Sequence, residues 1–110
     1  MSIDAYWEKS PTEERTFNAE FSADIPSGDQ IKPLGVGSLT GVVVLDSTGF
    51  DVTQALVKSK AVSGTKLALT FQAGIEGMDY SIVARAEMNS ADTVFDKMFE
   101  LRVRSRRRSS

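Results

Sequence analysis

A chain does covalent chemistry with a short list of side chains, and this one of 110 residues lacks two of them: it has no cysteine and no histidine. Without thiols there is no disulfide, no thiolate nucleophile and no sulfur-ligated metal. Without imidazole there is no Ser–His or Cys–His dyad, no usual zinc site and no side chain that titrates near neutrality at its ordinary pKa. Catalysis would rest on carboxylates, lysine or tyrosine alone, so the expectation is a protein that is not an enzyme and has no catalytic, cofactor-binding or metal-ligating residues. The carboxylates that come in pairs, Glu13/Glu14, Asp24/Asp29, Asp46/Asp51 and Glu76/Asp79, sit mostly among turn residues. A paired-carboxylate hydrolase needs two acids on rigid neighbouring strands at a set separation. Turn acids are more often solvated, or cap the turn through Asx geometry. Acids at Asp24/Asp29 or Asp46/Asp51 are also of the type that ligates calcium, but no EF-hand spacing accompanies them. The glycines of residues 35–41 have neither dinucleotide-binding spacing nor the Lys-Ser/Thr of a P-loop, and read as an irregular or bulged strand.

Charge is distributed unevenly. The formal net charge is −2, yet Arg102, Arg104, Arg106, Arg107 and Arg108 close the chain with no acid among them. Residues 1–101 hold 8 Lys and Arg against 15 Asp and Glu, a balance of −7. An acidic body therefore carries a short basic tail. Such a tail suits phosphate neutralisation, docking on an acidic neighbouring subunit, or simple solubility at a frayed end. The body has no aromatic–basic surface pattern, which argues against a dedicated nucleic-acid module. Near the other end Tyr6 and Trp7 offer aromatic anchors; Trp, Tyr and Arg are the types that most often carry interface energy. The competing reading for both rings is packing on their own domain. No apolar run is long enough to cross a membrane as a helix, and the first residues lack the regions of a signal peptide; synthesis in a cytoplasm is expected.

The elements that must position these groups are strands. An apolar fraction of 41% and a charged fraction of 25% suit one globular domain. Residues 1–14 show neither period and read as an N-terminal arm, with a sandwich over 15–104 and a basic tail over 105–110. In residues 15–23, Phe17, Ala19, Phe21 and Ala23 alternate with polar residues, the period of a half-buried strand. Further strands are expected near Gln30–Leu34, where Pro33 suggests an edge or an early end, and over residues 42–46. Residues 51–59 read as another, with Ala55-Leu56 leaving a short helix open. The series ends with strands over residues 66–72, 79–88 and 94–104, the last interrupted only by Lys97 on its apolar parity. About seven short strands separated by turn residues predict an all-β, immunoglobulin-like antiparallel sandwich, with a small barrel as the alternative. Tyr80 sits at the start of the sixth strand, two positions before Ile82. That is the spacing of a tyrosine corner, a ring packed inward whose hydroxyl bonds to upstream backbone.

Three stretches carry a resemblance. Residues 13–31 combine an acid-rich lead-in, an alternating aromatic strand and a Gly-Asp-x-Ile turn. Residues 46–57 and 77–103 add a glycine-led turn, a Tyr-x-Ile strand, a polar hairpin and a strand closing on Glu-Leu-x-Val. Together, over most of residues 8–104, they resemble small bacteriophage virion structural proteins of the fiber–tail adaptor or head/neck-associated type. The resemblance implies a multi-copy architectural role in the virion, as an adaptor at the neck or tail or as a capsid decoration protein. Its partners would be capsid, portal, neck, tail or fiber subunits, reached by Tyr6 and Trp7 at one end and by Arg102–Arg108 at the other. Two other readings stay open at this point. One is a ligand- or carbohydrate-binding sandwich, for which one Trp and two Tyr are a thin supply; the other is a nucleic-acid-associated protein using the arginine tail.

Overall fold

The computed structural model describes residues 3, 5–23, 28–34, 38–88 and 93–105. Within them the chain forms two packed sheets. One has four strands in the order β1-β7-β6-β3, made from Ala5–Lys9, Val94–Val103, Asp79–Glu87 and Gly41–Leu45. The other has three in the order β2-β5-β4, made from Arg15–Glu20, Lys66–Phe71 and Val57–Ser63. The β2-β5-β4 and β3-β6-β7 sets reproduce the two-sheet division of an immunoglobulin-like sandwich. All pairings are antiparallel except β1 with β7, which run parallel from Ala5↔Phe99 to Lys9↔Val103.

Alternation drives the architecture. Tyr80, Ile82, Ala84 and Ala86 of β6 face Phe99, Leu101 and Val103 of β7 and Val42 and Val44 of β3 on the inner side of the first sheet, all buried. Ala19 of β2 and Leu67, Leu69 and Phe71 of β5 meet them from the second sheet, with no exposure at all. Removing that apolar area from water supplies the main driving force, at about 25 cal/mol per Å². Lys97 keeps the inward parity of β7 without breaking the core, because its ammonium lies 5.7 Å from the centroid of the Phe21 ring. Its alkyl stem covers apolar surface while the charge stays at the rim.

The structure departs from the expected element list in three places. Ala5–Lys9, expected within an arm, is a strand of the sheet. Residues around Gln30–Leu34 form no strand and contribute a single bridge, Ile31↔Met88; Pro33 has no N–H with which to extend it. The strand expected over residues 51–59 begins with the short helix that Ala55-Leu56 left open, α1 (Thr53–Leu56), and the strand proper runs later than expected, from Val57 to Ser63. Arg106, Arg107, Arg108, Asp24, Pro26 and residues 35–37 lie outside the described residues.

A candidate interaction surface

The inner framework of the surface is set at the loop joining β5 to β6. Tyr80 is 3% exposed and its hydroxyl accepts a hydrogen bond from the Ile75 N–H at 3.1 Å, which makes it the tyrosine corner that the spacing predicts. The loop turns through left-handed backbone at Ala73 and Gly74, with φ of 56° and 99°. At Gly74 a side chain is barred twice over: a Cβ would lie 2.9 Å from Val103 Cγ2, and the φ is one that L-residues avoid. Lys9 completes the lock. It is fully buried, and its ammonium donates to the carbonyl oxygens of Ala73 and of Ser10, the latter at 2.7 Å. Burial lowers its pKa from the ordinary lysine value, an effect partly offset by the negative charge of Glu13. A buried cation is tolerated here because it is hydrogen-bonded, tying the end of β1 to the loop.

Trp7 is used inside the fold. Its half-buried ring stacks on Phe99 at 4.2 Å and on Phe17 at 4.9 Å, with interplanar angles of 13° and 8°. Tyr6, one residue earlier, points to the outer face of the four-stranded sheet and is 56% exposed. The Arg102 guanidinium lies 4.2 Å from the centroid of the Tyr6 ring while its Nε donates to Glu100 Oε2 at 2.8 Å. That carboxylate raises the pKa of Arg102 above the ordinary guanidinium value. Arg104 donates to Asp79 Oδ1 at 2.7 Å and to the Met78 carbonyl at 3.3 Å. So the first two arginines of the basic ending are partnered by acids of their own domain. Tyr6, Arg102 and Arg104 gather at one end of the sandwich, and Trp7 turns away from them into the core.

The same end holds two features that sequence reasoning missed. Phe50, in the turn after β3, is 75% exposed, and Ile75, in the loop before β6, is 63% exposed. Ser47 Oγ contacts Met78 Sδ at 3.2 Å, which brings the two loops against each other. The turn beneath Phe50 is closed by hydrogen bonds to one carboxylate. Asp46 Oδ1 accepts from Thr48 Oγ1 at 2.6 Å, from the Thr48 N–H at 2.9 Å and from the Phe50 N–H at 3.0 Å. Asp51 Oδ1 likewise takes the Thr53 hydroxyl at 2.6 Å and the Thr53 N–H at 2.9 Å. Each carboxylate is held below the ordinary aspartate pKa, chiefly by the threonine hydroxyl. These acids act as turn caps, the Asx role open to them from sequence. An apolar residue in a loop looks the same in sequence whether it folds inward or outward, so only the turn geometry reveals the exposure.

Three comparisons with known proteins, against family models, curated sequences and solved structures, returned no match.

Proposed function

We propose that this protein is a non-enzymatic, multi-copy structural subunit of a bacteriophage virion, an adaptor at the neck or tail or a decoration protein on the capsid, that works through contacts with neighbouring subunits. The observation that carries the reading is one end of the sandwich, where Phe50 and Ile75 project from the loops flanking β3 and β6 while Tyr6, Arg102 and Arg104 lie toward β1 and β7. Large apolar side chains held out on short, hydrogen-bonded loops cost solvation in a free monomer and gain it back when a neighbour covers them. The aromatic and arginine side chains on β1 and β7 are of the types that anchor such contacts. Repetition around a ring or shell then multiplies a modest contact into a stable one. The virion setting itself comes from the resemblance of residues 13–31, 46–57 and 77–103.

Gold-labelled antibody on purified phage particles, imaged by electron microscopy, tests it. Label on the shell supports a decoration protein, and label restricted to the neck or tail supports an adaptor. Particles that stay unlabelled both intact and after partial disruption would overturn the virion assignment.

A further inference from the structure

The side of the sandwich formed by β3 and β4 carries a feature that the end surface does not use. In β3 the Val44 N–H donates to Thr53 Oγ1 at 2.8 Å, and the Val44 carbonyl accepts from the Val52 N–H at 2.8 Å. Both groups therefore aim away from β6. Strand geometry repeats every two residues, so the N–H and carbonyl of Val42 aim the same way. Among the described residues β3 is the last strand of its sheet, and the segment covering it reaches Val44 and Leu45. Gly41–Leu45 contains no charge and no proline, the devices that usually block edge pairing. β4, the edge strand of the other sheet on this side, has both Lys58 and a register irregularity between Val57 and Ser59.

A groove of about 630 Å³ lies beside this open edge, with Val42, Val52, Ala55 and Lys60 among its walls. A second recess of about 270 Å³ adjoins it over Leu39, Val43 and Val83, and Lys60 lines both. Lys60 pairs in register with Leu69, which is fully buried, so its side chain leaves β4 on the inner face and stands at the groove. Among the described residues no carboxylate is paired with it. The one acid in the groove wall, Asp51, is engaged by Thr53.

We propose that the Val42 edge is a β-augmentation site for an extended segment of a different protein, one carrying a carboxylate between apolar residues. The segment pairs antiparallel with Val42 through main-chain hydrogen bonds, rests apolar side chains on Leu39 and Val43, and sets its acid against Lys60. A second copy of this chain fits the site poorly. Two-fold pairing of β3 with itself would bring both Lys60 ammoniums to one seam, and Leu39–Leu45 has no acid to meet them. The edge geometry is independent of the virion assignment, so either can fail alone.

The test is an amide-resolved NMR titration of the full chain with a capped Thr-Val-Glu-Val-Thr peptide and its twin bearing Lys for Glu. Shifts confined to Leu39–Val43 and Lys60, with the acidic peptide bound about threefold more tightly at low salt, are expected. Lys60→Glu reverses that preference. Val42→Pro, which removes an N–H that the pairing with β6 does not use, abolishes binding in a protein whose spectrum remains dispersed. Shifts for neither peptide, shifts elsewhere, or no reversal in Lys60→Glu would overturn the proposal. So would concentration-dependent shifts at Leu39–Val43 without peptide, which would make a second copy the occupant. A wild type that binds neither peptide while Lys60→Val self-associates would reduce Lys60 to a guard against edge pairing.

Discussion

The two lateral sides of this sandwich solve the same problem in different ways. Where β1 lies over β2, Trp7 fills the gap between sheets, stacked between Phe17 and Phe99, and Arg15 reaches across to the Glu8 carbonyl at 3.2 Å. The Arg15 guanidinium also sits 5.1 Å from the Phe17 ring centroid. Where β3 lies near β4, a short helix and two residues of extended chain cover half of one edge and leave Val42 facing a groove. Both sides belong to one core, yet one is closed by three aromatic rings and the other by hydrogen bonds to a turn. Stacked rings thus close a side along its length, whereas a hydrogen-bonded turn covers only the residues it reaches.

The largest effect should come from unsealing the closed side. Trp7→Ala removes a half-buried indole and both stacking contacts, and is expected to cost about 3 kcal/mol by urea unfolding. A cost equal to that of Val43→Ala on the open side would erase the distinction. Lys9→Ala should follow at about 2–3 kcal/mol, because the Ala73 carbonyl loses its donor and a cavity opens. Lys9→Met fills the space without a donor and should recover part of that loss in the same assay. The linkage also has a direction. A lysine whose folded pKa is lowered binds fewer protons than in the unfolded chain between the two values, so its contribution becomes more favourable as pH rises through that window. Smaller again is Thr53→Val, which deprives the Val44 N–H of its acceptor. The expected loss is about 1 kcal/mol, with faster exchange of the Val44 amide as the open edge lengthens by two residues.

Acid acts more mildly. Asp46 and Asp51 on the open side, and Asp96, whose carboxylate is held low by Arg85 through hydrogen bonds of 2.7 and 3.0 Å, all have depressed folded pKa values. Their stabilisation is complete above the ordinary aspartate pKa of about 3.9 and is lost as pH falls through the folded values. Thermal melts should therefore hold steady down to about pH 4 and drop below it. If Asp46→Asn and Asp51→Asn together leave the acid limb unchanged, the turn that covers half of β3 owes little to those caps.

Much of this fold is legible in sequence where inward and outward residues alternate. β2, β5, β6 and β7 announce themselves through Phe17 and Ala19, Leu67 to Phe71, Tyr80 to Ala86 and Phe95 to Val103. β1 does not, because its last inward position is Lys9, and a buried lysine paired with carbonyls breaks the apolar period. β4 fails for the opposite reason: it is an edge, and Lys58, Ser59 and Lys60 are exposed whichever face they leave from. α1 is four residues long, too short for a helical period to register, so Ala55-Leu56 could only leave a short helix open beside the strand reading. The candidate surface divides similarly. Tyr80 was readable because its spacing to Ile82 is a local signal, and Tyr6 with Arg102 and Arg104 because their residue types stand out. The open edge was not, since strand order and the direction of the Val42 carbonyl arise only when distant segments pair.

Native-state hydrogen exchange at two neighbouring amides tests the two-sided account most directly. The N–H groups of Val42 and Val44 both point away from β6; Val44 has Thr53 Oγ1 as acceptor and Val42 faces the groove. The Val42 amide should exchange at least tenfold faster than that of Val44, while the amides of β1 paired with β7 on the closed side stay slow. Equal protection of Val42 and Val44 would mean that the edge is covered in solution, and would contradict the claim that one side of this sandwich is left open.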